Sequence, residues 1–210
     1  MLVEHRATSA NADSNARDNL ERSEERKKWL KSALRYDRDC VRASLQLAEM
    51  DMEANITHAA LATLKKIPLQ NDALSSEMIP PLCECYRLLN EDKKCLNELG
   101  QYLSSHCDLQ ALKLLFELSL ETEGFRSALT RISQFMPRYQ GMDGASALCD
   151  VLQANPDTLC SGQFNEVLRR FFDLERHYEC VSCGFMADAM HWLCPSCHSW
   201  ASLRLKSYPR

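Results

Sequence analysis

Four cysteines near the C-terminal end most constrain the fold of this 210-residue chain: Cys180-Val-Ser-Cys183, ten residues, then Cys194-Pro-Ser-Cys197. A tetrahedral ion needs four ligands, and two Cys-x-x-Cys turns supply them while their backbone amides hydrogen-bond the sulfurs. Gly184 gives the first turn a left-handed residue, and Pro195 stiffens the second by fixing φ. A redox dithiol or a disulfide pair would use the same residue type. Two such turns so close together, with no βαβ pattern around either, favour a metal site. His191 and His198 adjoin the quartet and are ligands in principle. With four cysteines already correctly spaced, both histidines are expected outside the ligand set.

Around the quartet the sequence runs in short alternating segments: Tyr178-Glu-Cys, Gly184-Phe-Met, His191-Trp-Leu-Cys and Trp200-Ala-Ser-Leu-Arg-Leu. These predict strands of a small ribbon, too small to fold without its ion. Phe185, Trp192 and Trp200 are expected to form its apolar cover rather than a platform for nucleic-acid bases.

Upstream the period changes from two to that of a helix. Residues 1–16 are small and polar without period and are expected to be frayed. A stripe of Trp29, Leu30, Ala33 and Leu34 then predicts a helix to about Tyr36. Val41, Leu45, Ala48 and Met52 give the next face, followed by Ile56, Ala59, Ala60, Thr63, Leu64 and Ile67, with Pro68 as the expected stop. Ile79, Leu82, Cys83 and Tyr86 pair with Cys95, Leu99, Tyr102 and Leu103; Leu112, Leu115, Phe116 and Ser119 pair with Phe125, Ala128, Leu129, Ile132 and Phe135. Ala145, Leu148, Cys149 and Leu152, then Phe164, Val167, Leu168 and Phe171, close the series.

First helices thus begin near residues 41, 77, 108 and 142, a mean step of about 34, the period of tetratricopeptide (TPR) repeats. No copy meets the full consensus, and an irregular helical bundle would show the same stripes. The expected fold is an all-α TPR-like array over 17–176, then a small β metal ribbon of rubredoxin type over 177–210. Repeats of this kind usually offer a concave face to peptides or partner proteins; no individual groove residue is assignable.

Bulk properties narrow the function. A net charge of −4 and a pI near 5.9 argue against general nucleic-acid or membrane-surface binding. The remaining cysteines, Cys40, Cys83, Cys85, Cys95, Cys107, Cys149 and Cys160, fall in or beside helical stripes and are read as reduced thiols of a cytoplasmic protein. Cys83 and Cys85 on one helix would aim their sulfurs apart, so they form no second metal pair. No stretch reaches the length of a membrane span. No phosphate loop, H-E-x-x-H motif or nucleophile elbow suggests an enzyme, no catalytic residue is assigned, and four thiolates leave a metal no open position. The alternative is a zinc-ribbon nucleic-acid binder using Arg204, Lys206 and Arg210. Against it, Cys180 to Cys197 holds Asp188 and neither lysine nor arginine.

The run HYECVSCGFMADAMHWLCPSCHSWASLRL closely resembles the C-terminal rubredoxin-like domain of the lipopolysaccharide assembly protein B (LapB) family. Tyr178, Cys180, Cys183, Gly184, Phe185, Trp192, Cys194, Pro195, Cys197 and Trp200 sit on that family's pattern, and the chain from about Trp29 looks like its last repeats. The resemblance implies a non-enzymatic adaptor at the cytoplasmic face of the inner membrane in Gram-negative bacteria. Its partners by resemblance are the lipid A pathway deacetylase and a membrane-bound AAA+ protease, and its cysteines hold one iron or zinc ion. Family members begin with a transmembrane helix and carry more repeats than the roughly four hairpins read here. Membrane attachment is therefore expected through partners.

Overall fold

Asn55 (φ 59°), Asn90 (φ 54°) and Gly124 (φ 86°) stand 35 and 34 residues apart. Positive φ is cheap only for glycine and, among residues with a Cβ, most readily tolerated by asparagine and aspartate. Each of the three therefore breaks one helix and starts another. The computed structural model, which describes residues 22–139 and 177–205, pairs helices across each of these turns. In chain order, α1 covers 22–36, α2 Val41–Glu53, α3 Thr57–Leu64, α4 Ile67–Asn71, α5 Ile79–Leu88, α6 Asp92–Ser105, α7 Leu109–Glu123 and α8 Phe125–Ser133. The hairpins are α2/α3, α5/α6 and α7/α8. The expected frayed start over 1–16 and the last repeat, from Ala145 to Phe171, lie outside the described residues, as do Cys149 and Cys160.

The hairpins share a buried register. Leu47, Leu82 and Leu115 on the first helices are buried at steps of 35 and 33 residues. Ala60, Cys95 and Ala128 on the second helices follow the same steps, as do Leu64, Leu99 and Ile132. A small side chain at the first of these second-helix positions permits close approach of the two helices, and a large one a turn later fills the space beyond. The first two turns close identically. Ile56 N–H donates to Asp51 O at 2.7 Å and Glu91 N–H to Tyr86 O at 2.9 Å, the long bond of a Schellman end. The repeat expected from the stripes is present in its packing.

The chain divides into two compact units, 1–72 and 73–210. In the first, α1 keeps three of its four expected stripe residues, Leu30, Ala33 and Leu34, partly covered, while Trp29 departs from the stripe at 75% exposed. Lys27 lies on the same partly covered face as Leu30 and Leu34, and its Nζ reaches the buried Asp51 at 2.5 Å. Trp29 stands two residues from Lys27, about 200° around the helix, and so points away. The buried face of α2 also differs in part from its expected stripe. Ser44, Leu47 and Asp51 are buried with Val41 and Ala48, whereas the expected Leu45 and Met52 are half-buried. Pro68 is also not a stop. Helix α3 ends earlier, at Leu64, and Pro68 lies in the first turn of α4, where a missing N–H leaves no bond unmade.

A 3-10 stretch, Asp72–Met78, precedes α5, so that helix starts two residues after the expected position. Glu91 and Asp92 form the N-terminus of α6, with Lys94 paired to Glu91 at 2.5 Å on the surface. Asp108 caps α7: its Oδ1 accepts from Gln110 N–H at 2.9 Å and Ala111 N–H at 3.3 Å. Its Oδ2 accepts from Tyr102 Oη at 3.2 Å and its carbonyl from Tyr139 Oη at 3.1 Å, so both carboxylate oxygens and the carbonyl of this buried residue are bonded. Helix α6 packs on α7, joining the two hairpins of the second unit.

A three-stranded antiparallel sheet completes the second unit: β1 (Tyr178–Cys180) lies between β2 (Met186–Ala187) and β3 (Leu203–Leu205). Tyr178 faces Ala187 on one side and Leu205 on the other, and Cys180 faces Leu203. The expected strand at His191–Cys194 is reduced to a single bridge between Leu193 and Trp200. Tyr178 is buried, and its hydroxyl donates to Glu77 Oε1 at 2.8 Å, tying β1 to the 3-10 stretch ahead of α5.

Candidate metal centre

The two Cys-x-x-Cys turns are near copies in backbone as well as sequence. Gly184 N–H donates to Cys180 O at 2.8 Å, and His198 N–H to Cys194 O at 3.0 Å. Cys180 N–H donates to Phe185 O at 2.9 Å, and Cys194 N–H to Ser199 O at 3.0 Å. Both residues after the second cysteine are left-handed, Gly184 at φ 74° and His198 at φ 57°. The glycine was legible in sequence; the histidine adopts the same conformation despite its Cβ because the fold repeats the turn.

This backbone gathers the four sulfurs. Cys180, Cys183, Cys194 and Cys197 Sγ all lie within 4.8 Å of one another. Two of the separations, Cys180 to Cys197 and Cys183 to Cys194, are 3.7 Å. A disulfide needs about 2.05 Å, whereas sulfurs about 2.3 Å from a central ion stand roughly 3.8 Å apart on a tetrahedron's edge. The residues present therefore fit one four-thiolate ion. Cys180 and Cys194, the first cysteine of each turn, are buried, and Cys183 and Cys197, the second of each, are at the surface. Both histidines are exposed and outside the sulfur cluster, as expected.

Hydrogen bonds grade the thiols. The Ser202 hydroxyl, with the N–H groups of Ser182 and Cys183, draws Cys180 down to about 6. Ser199 lowers Cys197 through its hydroxyl and its N–H. At Cys183 the N–H of Phe185 acts downward, but desolvation and the neighbouring sulfurs outweigh it and push this thiol up to about 11. Hydroxyl and amide donors thus favour the thiolate at Cys180 and Cys197, whereas crowding by the other sulfurs opposes it at Cys183.

The apolar cover differs from expectation. Tyr178, Cys180, Cys194 and Leu203 form the buried cluster, with Phe185, Ala187, Met190 and Leu205 packed against it. Phe185 belongs there as expected. Trp192 is only half-buried and outside the cluster, and Trp200, held on the Leu193 bridge, is 56% exposed. A sheet of two- and three-residue strands has too little face to bury three large rings.

Three polar participants were missed. Ser199 and Ser202 follow Cys197 by two and five residues, and a hydroxyl so close to a ligand turn was the available signal. Glu77 lies 101 residues from Tyr178, and nothing in the local sequence announces it. The basic residues of the alternative reading offer little. Arg204 is half-buried and its Nη1 donates to Ala201 O at 2.6 Å and Leu203 O at 2.8 Å. Lys206 and Arg210 lie outside the described residues.

Among the described residues, the other cysteines, Cys40, Cys83, Cys85, Cys95 and Cys107, are free thiols at buried or half-buried positions, and no metal-sized cluster includes them. No helix among the described residues is long and apolar enough to cross a membrane.

Repeated helical hairpins ending in a four-cysteine ribbon define the class: a helical-repeat protein with a rubredoxin-like metal module. A family model described as "Rubredoxin metal binding domain" matches residues 178–204. Lipopolysaccharide assembly protein B of Escherichia coli strain K12 is 24% identical over 182 residues, covering 83% of this chain and 46% of that protein. The protein of the same name from Haemophilus influenzae strain Rd is 28% identical over 190 residues, covering 86% of this chain and 46% of that protein. These matches support assignment of the chain to the lipopolysaccharide assembly protein B family. The chain spans about half the length of these curated relatives. The clustered cysteines and the ribbon match together support a single metal site.

Proposed function

We propose that the chain is a non-enzymatic protein-interaction scaffold that regulates lipopolysaccharide assembly, with Cys180, Cys183, Cys194 and Cys197 holding one structural iron or zinc ion. Its helical region, which we place up to about residue 176, binds proteins; the ribbon from about 177 is held by the ion. The observation that carries this reading is the alignment with lipopolysaccharide assembly protein B over 83–86% of the chain, beside the separate ribbon match over 178–204. The hairpin register supports it, because repeats of this kind present extended protein-binding surfaces. So does the four-thiolate ligand set, which leaves an ion no coordination position for substrate.

On this reading the partners are the deacetylase of the lipid A pathway and a membrane-bound AAA+ protease, brought together at the cytoplasmic face of the inner membrane. The test is a pull-down from Gram-negative cytoplasmic and membrane extracts, with the chain and a Cys180→Ser/Cys183→Ser variant as baits and metal measured in each eluted bait. Metal-dependent recovery of the deacetylase or the protease is expected. Recovery of neither by a metal-loaded bait overturns the partner assignment.

A further inference from the structure

Ser202 is buried, and its hydroxyl sits between two groups: Cys180 Sγ at 3.2 Å and Ser199 O at 3.1 Å. With Cys180 as a thiol the chain of bonds is complete, the sulfur donating to Ser202 Oγ and the hydroxyl donating onward to the carbonyl. A sulfur that ligates a metal has lost its proton and can only accept. The contact then survives only if Ser202 turns its single hydrogen toward the sulfur. The geometry permits that turn, because Ser199 O already accepts the Cys194 N–H at 3.0 Å and is not left bare when the hydroxyl leaves it.

We propose that Ser202 is a positioning residue of the metal site, donating an O–H···S hydrogen bond to the Cys180 thiolate and thereby biasing the ribbon toward a divalent ion. Four thiolates carry four negative charges. Around a divalent ion the set has net charge −2, and around ferric iron −1. A donor aimed at one sulfur stabilises the more negative state more strongly. The inference rests on the metal site and is independent of which proteins the chain binds.

The test compares wild type, Ser202→Ala and Ser202→Thr as full chains. Each is loaded with iron for voltammetry, and with zinc for competition against a chromophoric chelator. Outer-ligand hydrogen bonds of this kind are worth about 10–100-fold in metal affinity. Ser202→Ala is expected to weaken zinc binding about tenfold. It should also lower the ferric/ferrous potential by the equivalent of about tenfold, 59 mV for one electron. Ser202→Thr, which keeps the hydroxyl, is expected to restore both. A Ser202→Ala protein that loses thermal stability but keeps the wild-type potential overturns the proposal, since packing alone then explains the residue. A wild-type protein that holds neither ion overturns the metal site together with it.

Discussion

In the hairpins, Leu47, Leu82 and Leu115 recur with Leu64, Leu99 and Ile132 as buried contacts, so each copy adds another layer of the same apolar burial. In the ribbon the buried cluster is four residues, and two of them are cysteines of the metal site. The hairpins are thus held by hydrophobic area distributed over many positions, the ribbon by a concentrated set of four sulfurs. A strand of two or three residues cannot bury enough surface to offset the entropy of ordering it. The comparison teaches that one chain can divide its stability between two currents of physics, and that each region should fail under a different insult.

The largest expected effect separates the two regions most cleanly. Cys194→Ser removes a buried ligand, and structural zinc sites of this type supply on the order of 10 kcal/mol of folding free energy. The variant is expected to lose its ion by elemental analysis and its ribbon by near-ultraviolet dichroism, while far-ultraviolet dichroism retains the helical signal. Global loss of helix would show that the hairpins depend on the ribbon after all. Next in size is the reverse experiment. Leu99→Ala opens a cavity in α6 at a fully buried position and should cost about 2–5 kcal/mol in urea denaturation. Its metal content should match wild type; a parallel loss of metal would erase the distinction.

The smallest effect concerns a surface pair at the α7–α8 turn. Arg131 donates twice to Glu123, at 2.7 and 2.6 Å, and this bidentate pair holds the Glu123 carboxyl below its usual range. A depressed carboxylate contributes stability that is present above its unfolded value, about 4.3, and is lost as pH falls through its folded value. The pair is partly exposed and screened, so Glu123→Gln should cost less than about 1 kcal/mol near pH 7. The thermal midpoints of variant and wild type should converge in acid. A difference that persists at low pH would assign the effect to packing instead.

Local rules made the site legible and left parts of the fold obscure. The cysteine quartet is a matter of spacing along a short stretch, and Gly184 announces its own left-handed turn. Helix stripes marked most of the described hairpin helices for a similar reason, since period is local. What escaped was set by neighbours distant in sequence. The buried Asp51 is paired with Lys27 from another helix, and nothing in either local stretch announces that pairing. Pro68 is ambiguous locally, because proline both ends helices and opens them. Ser202 looks like any surface serine until the sheet folds it against Cys180.

The Tyr178–Glu77 bond sets an order in time. It closes a loop of 101 residues, at an entropic cost of roughly 4 kcal/mol on a logarithmic loop law. Translation proceeds at about 5–20 residues per second, so Tyr178 follows Glu77 from the ribosome by roughly 5–20 s. Helices α5 to α8 lie wholly within that interval and can form on far shorter timescales. A nascent chain therefore carries finished hairpins before the segment that fastens onto them exists.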